Sequence, residues 1–282
     1  MTTCPESATF NPMHNTATQM RLILLLLAYL APAAQASNLS MEQRIAVAID
    51  RPTLQGKAVW LETGTGRFLA ILNETTAPKR HGGALLLHDR GTHADWHEVI
   101  NPLRRQLASN GWDSLSLQMP VSDDPPDLDA LQALLTEASP RIQAAIDYLA
   151  NRQIENLVFV GHGLGATMAL NHATSRPSQD LRGIVAIGLS MAQDNERDPV
   201  YQAMAGLEIP ILDLYGSRDL ASVTGSAAAR RAAAAKNPRA EYRQDRVAGA
   251  DHFFKGLQDH LVTRIRAWLR RTAVSATQTP KL

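Results

Sequence analysis

The stretch Leu157-Val-Phe-Val-Gly161-His162-Gly163-Leu164-Gly165-Ala166 constrains the fold more than any other part of the chain. A short, wholly apolar run with no polar face reads as a strand buried on both sides of a sheet. Gly161, Gly163 and Gly165 follow at alternate positions, which permits a sharp turn out of the strand and a close approach of the helix that comes next. A strand buried on both faces belongs in a parallel sheet covered by helices, so the rest of the chain should alternate strands and helices.

It does. Lys57–Glu62 and Arg67–Asn73, on either side of Thr63-Gly64-Thr65-Gly66, read as an antiparallel hairpin. Ala84–His88, Ser114–Met119, Gly183–Leu189, Ile209–Tyr215 and Glu241–Val247 read as further strands. Between them, Val99, Ile100, Leu103 and Leu107 recur at helical spacing, and so do Ile142, Ala145, Ile146 and Leu149 after an expected start at Ser139-Pro140. Ala227–Lys236 is an alanine-rich helix, and Leu257, Leu261, Ile265, Trp268 and Leu269 form a last amphipathic one. Thr272–Leu282 is expected to be a frayed tail, and Val121–Asp129 an acidic surface loop. The reading is one α/β domain over residues 37–271, with a mostly parallel sheet, an antiparallel N-terminal hairpin and helices on both faces. No repeat or linker interrupts it, and the short connection from Ser190 to Glu208 leaves no room for a large lid.

The turn at Gly163 has the layout of a nucleophile elbow, in which the central residue is lifted above the sheet edge and the helix N-terminus points N–H groups at developing negative charge. Glycine stands where a serine would attack, and it has no side chain with which to do so. The other parts follow in the expected order. Asp219 comes after one late strand, where an acid orienting a histidine would sit, and His252 comes after the last strand, where the base would sit. His88-Asp89-Arg90-Gly91 occupies the place of an oxyanion loop. Arg90, Leu164, His88 and His162 are therefore expected around the cleft.

Over about residues 56–271 the chain resembles the α/β-hydrolase superfamily. More narrowly it resembles a bacterial exported family known only as a domain of unknown function, through Trp60-Leu61-Glu62, Leu87-His-Asp-Arg-Gly-Thr-His-Ala-Asp-Trp96, Pro102-Leu-Arg-Arg105 and Gly161-His-Gly-Leu-Gly-Ala166. The resemblance implies the fold, and Gly-His-Gly at the elbow as a family trait. It does not imply hydrolysis, because the residue that defines covalent catalysis is missing.

Several residues admit a second reading. The His252–Asp219 dyad is either a relic that packs well or a general base for a hydrolase or lyase. Ser190 could be a displaced nucleophile, although such a serine more often bonds locally. Ser217 reads as turn chemistry. His88, His93, Asp95 and His97 crowd within ten positions, with His93 and His97 at a spacing that could share a helix face. They lack the glutamate of the metalloprotease pattern, so no metal or other cofactor is expected. His81-Gly82-Gly83 imitates an oxyanion loop but precedes its strand.

Arg21, the apolar run Leu22–Leu30 and Ala34-Gln35-Ala36 have the form of an export signal with cleavage after Ala36. Residues 1–19 fit poorly before such a signal, and a start at Met20 would give a conventional one. The run is too short to span a bilayer, which takes roughly 20 apolar residues. Cleavage would remove Cys4, the only cysteine, leaving a chain suited to the periplasm or to secretion. With 28 Lys and Arg against 27 Asp and Glu, the chain has no basic excess for nucleic acid. The expectation is an exported, non-catalytic binder of a small molecule or an envelope protein, with no membrane span in the mature chain.

Overall fold

In the computed structural model, the described residues are 1–2, 37–51, 54–121, 128–192 and 196–276. The expected export signal and the acidic positions 122–127 lie outside them. Helix α1 (Leu39–Ile49) precedes the hairpin of β1 (Lys57–Thr63) and β2 (Gly66–Asn73), whose last pair is Thr63 with Gly66. There follow β3 (Gly82–Leu87), α2 (Ile100–Ala108), β4 (Trp112–Leu117), α3 (Leu128–Ala150), β5 (Leu157–His162) and α4 (Leu164–Ser175). The chain continues through β6 (Leu181–Ile187), α5 (Pro199–Gly206), β7 (Ile211–Gly216), α6 (Ala221–Ala234), β8 (Tyr242–Val247) and α7 (Gln258–Ala276).

The strands form one eight-stranded sheet in the order β1-β2-β4-β3-β5-β6-β7-β8. β1 and β2 are antiparallel, β2 runs antiparallel to β4, and all remaining pairs are parallel. Successive side chains leave a strand on opposite faces, and the two cores divide that way. Leu85, Leu87, Phe159, Ile184 and Ala186 meet Ile142, Leu149, Met168, Leu170 and Met204 of α3, α4 and α5 on one face. Leu86, Val158, Val160, Val185 and Ile187 meet Ile100, Leu103, Leu107, Leu261, Ile265 and Leu269 of α2 and α7 on the other. Each buried Leu, Ile, Val, Phe or Met among them contributes about 1.5–3 kcal/mol. This two-layered cover fixes the strand ends, and with them the loops that form the site.

Three expectations are corrected. The helix expected to start at Ser139-Pro140 begins at Leu128 and carries Pro140 in its interior. The Leu128–Asp129 end of the expected acidic loop therefore belongs to α3. The tail expected from Thr272 is helical through Ala276, because Ala273 is buried in the second core. Helix α1 was not foreseen. Asn38 caps it by accepting Met41 N–H at 3.0 Å, and Glu42 ties it to α3 through a buried 2.8 Å ion pair with Arg141.

Candidate active site

The elbow forms as the glycine pattern requires. Gly163 sits at φ +50° and ψ −117° between β5 and α4, and its N–H donates to Ile187 O at 2.9 Å. A Cβ on Gly161 would come within 2.4 Å of Ala166 Cα, and one on Gly165 within 2.3 Å of Leu87 O. These two glycines let strand and helix meet.

Around the elbow, the ends of β3, β5, β6, β7 and β8 deliver Asp89, Gly163, Gly188, Asp219 and His252 to the carboxyl edge of the sheet, where open α/β sheets bind ligands. His252 Nδ1 lies 2.6 Å from Asp219 Oδ1. Asp219 is itself held by the N–H groups of Gly216 and Leu220, at 3.2 and 2.8 Å. The far side of the imidazole faces Asp89, with Nε2 to Oδ2 at 2.9 Å. The other oxygen, Asp89 Oδ1, accepts the N–H of Leu164 at 2.6 Å. A Cβ built on Gly163 would fall 2.0 Å from that same oxygen. The carboxylate of Asp89 therefore fills the space a nucleophilic side chain at the elbow would need. Gly188, at φ +59°, plays a similar part for the histidine, since a Cβ there would lie 2.8 Å from His252 Cε1.

Burial opposes a charge on His252, but Asp219 and Asp89 outweigh it and raise the imidazole to about 9. Burial also works against the Asp89 carboxylate. His252, His162 and the Leu164 N–H prevail, holding it at about 2. Asp219 is lowered in the same way, its hydrogen bond to His252 overcoming burial. At neutral pH the centre is thus an imidazolium between two carboxylates.

His88 and His162 are fully enclosed and lie outside the lining of the cleft, contrary to expectation. His88 accepts Met119 N–H on Nε2 at 3.0 Å and donates from Nδ1 to Asp89 O at 2.8 Å, so it fixes the loop that carries Asp89. His162 packs its ring 4.6 Å from that of His252 and donates from Nε2 to the His252 carbonyl at 2.9 Å. Burial lowers both to about 4, keeping them neutral.

The cleft, of about 280 Å³, is lined by Asp89, Gly163, Leu164 and His252 at its floor. Leu131, Met191, Val200 and Val223 form its walls, with Arg90, Ser190 and Ser222 at more polar positions. Asp219 stands behind His252. Helix α5, within the short connection expected to leave no room for a lid, supplies Val200. The α6 wall is set by a buried lock: Arg230 pairs with Asp213 at 2.7 Å and donates to Ser226 Oγ, which accepts Met191 N–H at 3.2 Å.

The crowded histidines after β3 do not assemble a metal site. Asp95 pairs with buried Arg104 and with Asn101 Nδ2, while His93 and His97 lie in the loop before α2 and share no helix face. Among the described residues, Asp89, His162 and His252 do offer three ligand atoms within 4.8 Å of one another. Both nitrogens of His252 are already engaged by carboxylates, and only His162 Nδ1 is without a partner. A cation there would have to displace the proton that binds His252 to Asp89, so the donor set fits a resident metal poorly.

Solved structures share this architecture. A candidate α/β hydrolase of unknown function from Agrobacterium tumefaciens aligns with a TM-score of 0.63 at 15% identity, over 80% of this chain and 100% of its own. An α/β serine hydrolase homologue from Coxiella burnetii gives 0.61 at 12%, over 78% of this chain and 100% of its own. A lidless α/β serine hydrolase from Xanthomonas campestris gives 0.60 at 16%, over 78% and 96%. At these identities the likeness shows the α/β-hydrolase fold and nothing of activity. No curated protein matches the sequence. A family model matches residues 8–139 and 123–271, and the chain belongs to that family, described as "Protein of unknown function (DUF3530)".

Proposed function

We propose that this is an exported α/β-hydrolase-fold protein without serine-nucleophile chemistry, which binds a ligand in the cleft above Gly163 instead of cleaving one. The observation that carries the reading is the carboxylate of Asp89, lodged in the nucleophile's space between Leu164 N–H and His252 Nε2. It leaves the histidine protonated on both nitrogens. A general base works best with its pKa near the operating pH. An imidazole raised to about 9 has lost its free lone pair, and a carboxylate near 2 is a weak base. The export signal expected over residues 1–36 supports placing this function in the cell envelope or outside it.

Ser190 lines the same cleft, which is the observation favouring a displaced nucleophile. A serine-directed fluorophosphonate probe with a panel of activated esters separates the two readings. The expected result is no labelling and no turnover above buffer. Labelling that Ser190→Ala abolishes would replace the binding reading with covalent hydrolysis. Turnover lost in His252→Ala without labelling would replace it with general-base catalysis.

A further inference from the structure

The cleft floor already holds a carboxylate, and it is the protein's own. Asp89 Oδ1 accepts Leu164 N–H at 2.6 Å, and Oδ2 receives the Nε2 proton of His252 at 2.9 Å. His252 is only 7% exposed, and Asp219 steadies it from behind at 2.6 Å. Behind the Asp89 carboxylate Gly163 offers bare backbone, and in front of it the cleft opens. Away from this floor Leu131, Met191, Val200 and Val223 give the cleft an apolar strip, beside polar Thr167, Ser190, Asp198 and Ser222, and the exposed Arg90 also lines the cleft.

We propose that Asp89 is an internal, displaceable ligand, and that the cleft takes an amphiphilic monocarboxylate whose head replaces the Asp89 carboxylate and whose aliphatic chain lies along Leu131, Met191, Val200 and Val223. This assignment rests on the binding reading above and gives it a ligand class. The exchange makes and breaks no covalent bond. One carboxylate leaves two donors and another arrives, so the imidazolium of His252 keeps two negative partners and the charge at the floor is unchanged. A neutral head would leave a buried imidazolium with one partner fewer, which is costly. Because Asp89 is tethered, its effective concentration is high, and a short free carboxylate competes poorly with it. A longer one gains roughly three- to four-fold in affinity for each methylene buried.

The test uses the full chain and simple carboxylates, followed by calorimetry and by the amide resonance of Leu164. Asp89→Ala empties the floor and is expected to bind acetate, to bind hexanoate about ten-fold or more tightly than acetate, and to bind both more tightly than the unsubstituted protein does. Should Asp89→Ala not fold, the near-isosteric Asp89→Asn is expected to bind octanoate more tightly than the unsubstituted protein, because a neutral amide is a poorer partner for His252. A folded Asp89→Ala that binds no carboxylate, or that binds hexanol as tightly as hexanoate, overturns the assignment. So does an Asp89→Asn that is no better than the unsubstituted chain. Ester turnover or probe labelling would defeat the binding reading without touching these titrations. Failed titrations on an inert, unlabelled cleft would defeat the carboxylate assignment alone.

Discussion

Position 163 and Asp89 compete for one volume. Backbone at φ +50° costs a residue with a Cβ on the order of 1–3 kcal/mol. At Gly163 a second cost is added, since the new Cβ would lie 2.0 Å from Asp89 Oδ1 and must drive the carboxylate off Leu164 N–H and His252. Gly163→Ala should therefore destabilise by more than backbone strain alone, about 3 kcal/mol in all. In an Asp89→Ala background the clash is gone and only the strain remains. A double-mutant cycle by denaturant unfolding should show a coupling of about 1 kcal/mol or more. Strictly additive costs would mean that the carboxylate does not fill the elbow. The same geometry explains which parts of the site could be read in advance. Gly163, Asp219 and His252 declare themselves by their order after successive strands. Asp89 does not, because its role comes from contacts to residues 75 and 163 positions further along the chain, and a local motif records neither.

Helix α3 shows the same contest between a local rule and distant packing. Ser139-Pro140 carries the marks of a helix start, yet the helix begins at Leu128 and passes through the proline. Leu134, Leu135 and Ala138 are buried on the same core as Ile142, Ala145 and Leu149, continuing one apolar stripe across Pro140. Burying three more side chains outweighs the roughly 3 kcal/mol an interior proline costs. The stripe was present in the sequence, and the proline concealed it. Pro140 itself is exposed and fills no core, so Pro140→Ala should stabilise by about 1–3 kcal/mol, seen as a rise in thermal midpoint. A lower midpoint would show that the ring holds the helix in a bend the fold requires. The dense parallel strands were legible to within two residues because burial on both faces leaves no other pattern. Helix α1 was not, since among its residues only Glu42 and Ala46 are buried and its anchor is an ion pair to Arg141, far along the chain. The end of α7 was missed for a related reason: Ala273 looks like tail sequence until Trp112, Leu261 and Leu269 share its core.

Taken together, the buried histidines give the molecule a pH profile with two limbs. His88, His162 and His172 are each lowered to about 4, chiefly by burial. The unfolded chain protonates them near 6.5, so between 6.5 and 4 it binds more protons than the native state, and stability falls as the pH falls. His252 has the opposite sign. Burial works against its proton, but Asp219 and Asp89 raise it to about 9, so between 6.5 and 9 the native state holds the extra proton and stability falls as the pH rises. Each shift is worth on the order of 3 kcal/mol. The acid limb sums these three groups, with His81 and His93 lowered in the same direction, and the alkaline limb has one, so the profile should peak near pH 6.5 and be steeper on the acid side. Denaturant midpoints from pH 4.5 to 9 would trace it. His252→Gln should be less stable than the unsubstituted protein at pH 6.5, should lack the alkaline limb, and should approach the unsubstituted curve as the pH nears 9, while keeping the acid limb set by the lowered histidines. An alkaline limb that survives the substitution would show that His252 is not the proton-holding partner of Asp89 and Asp219, and the closed, base-deprived floor on which the binding reading depends would go with it.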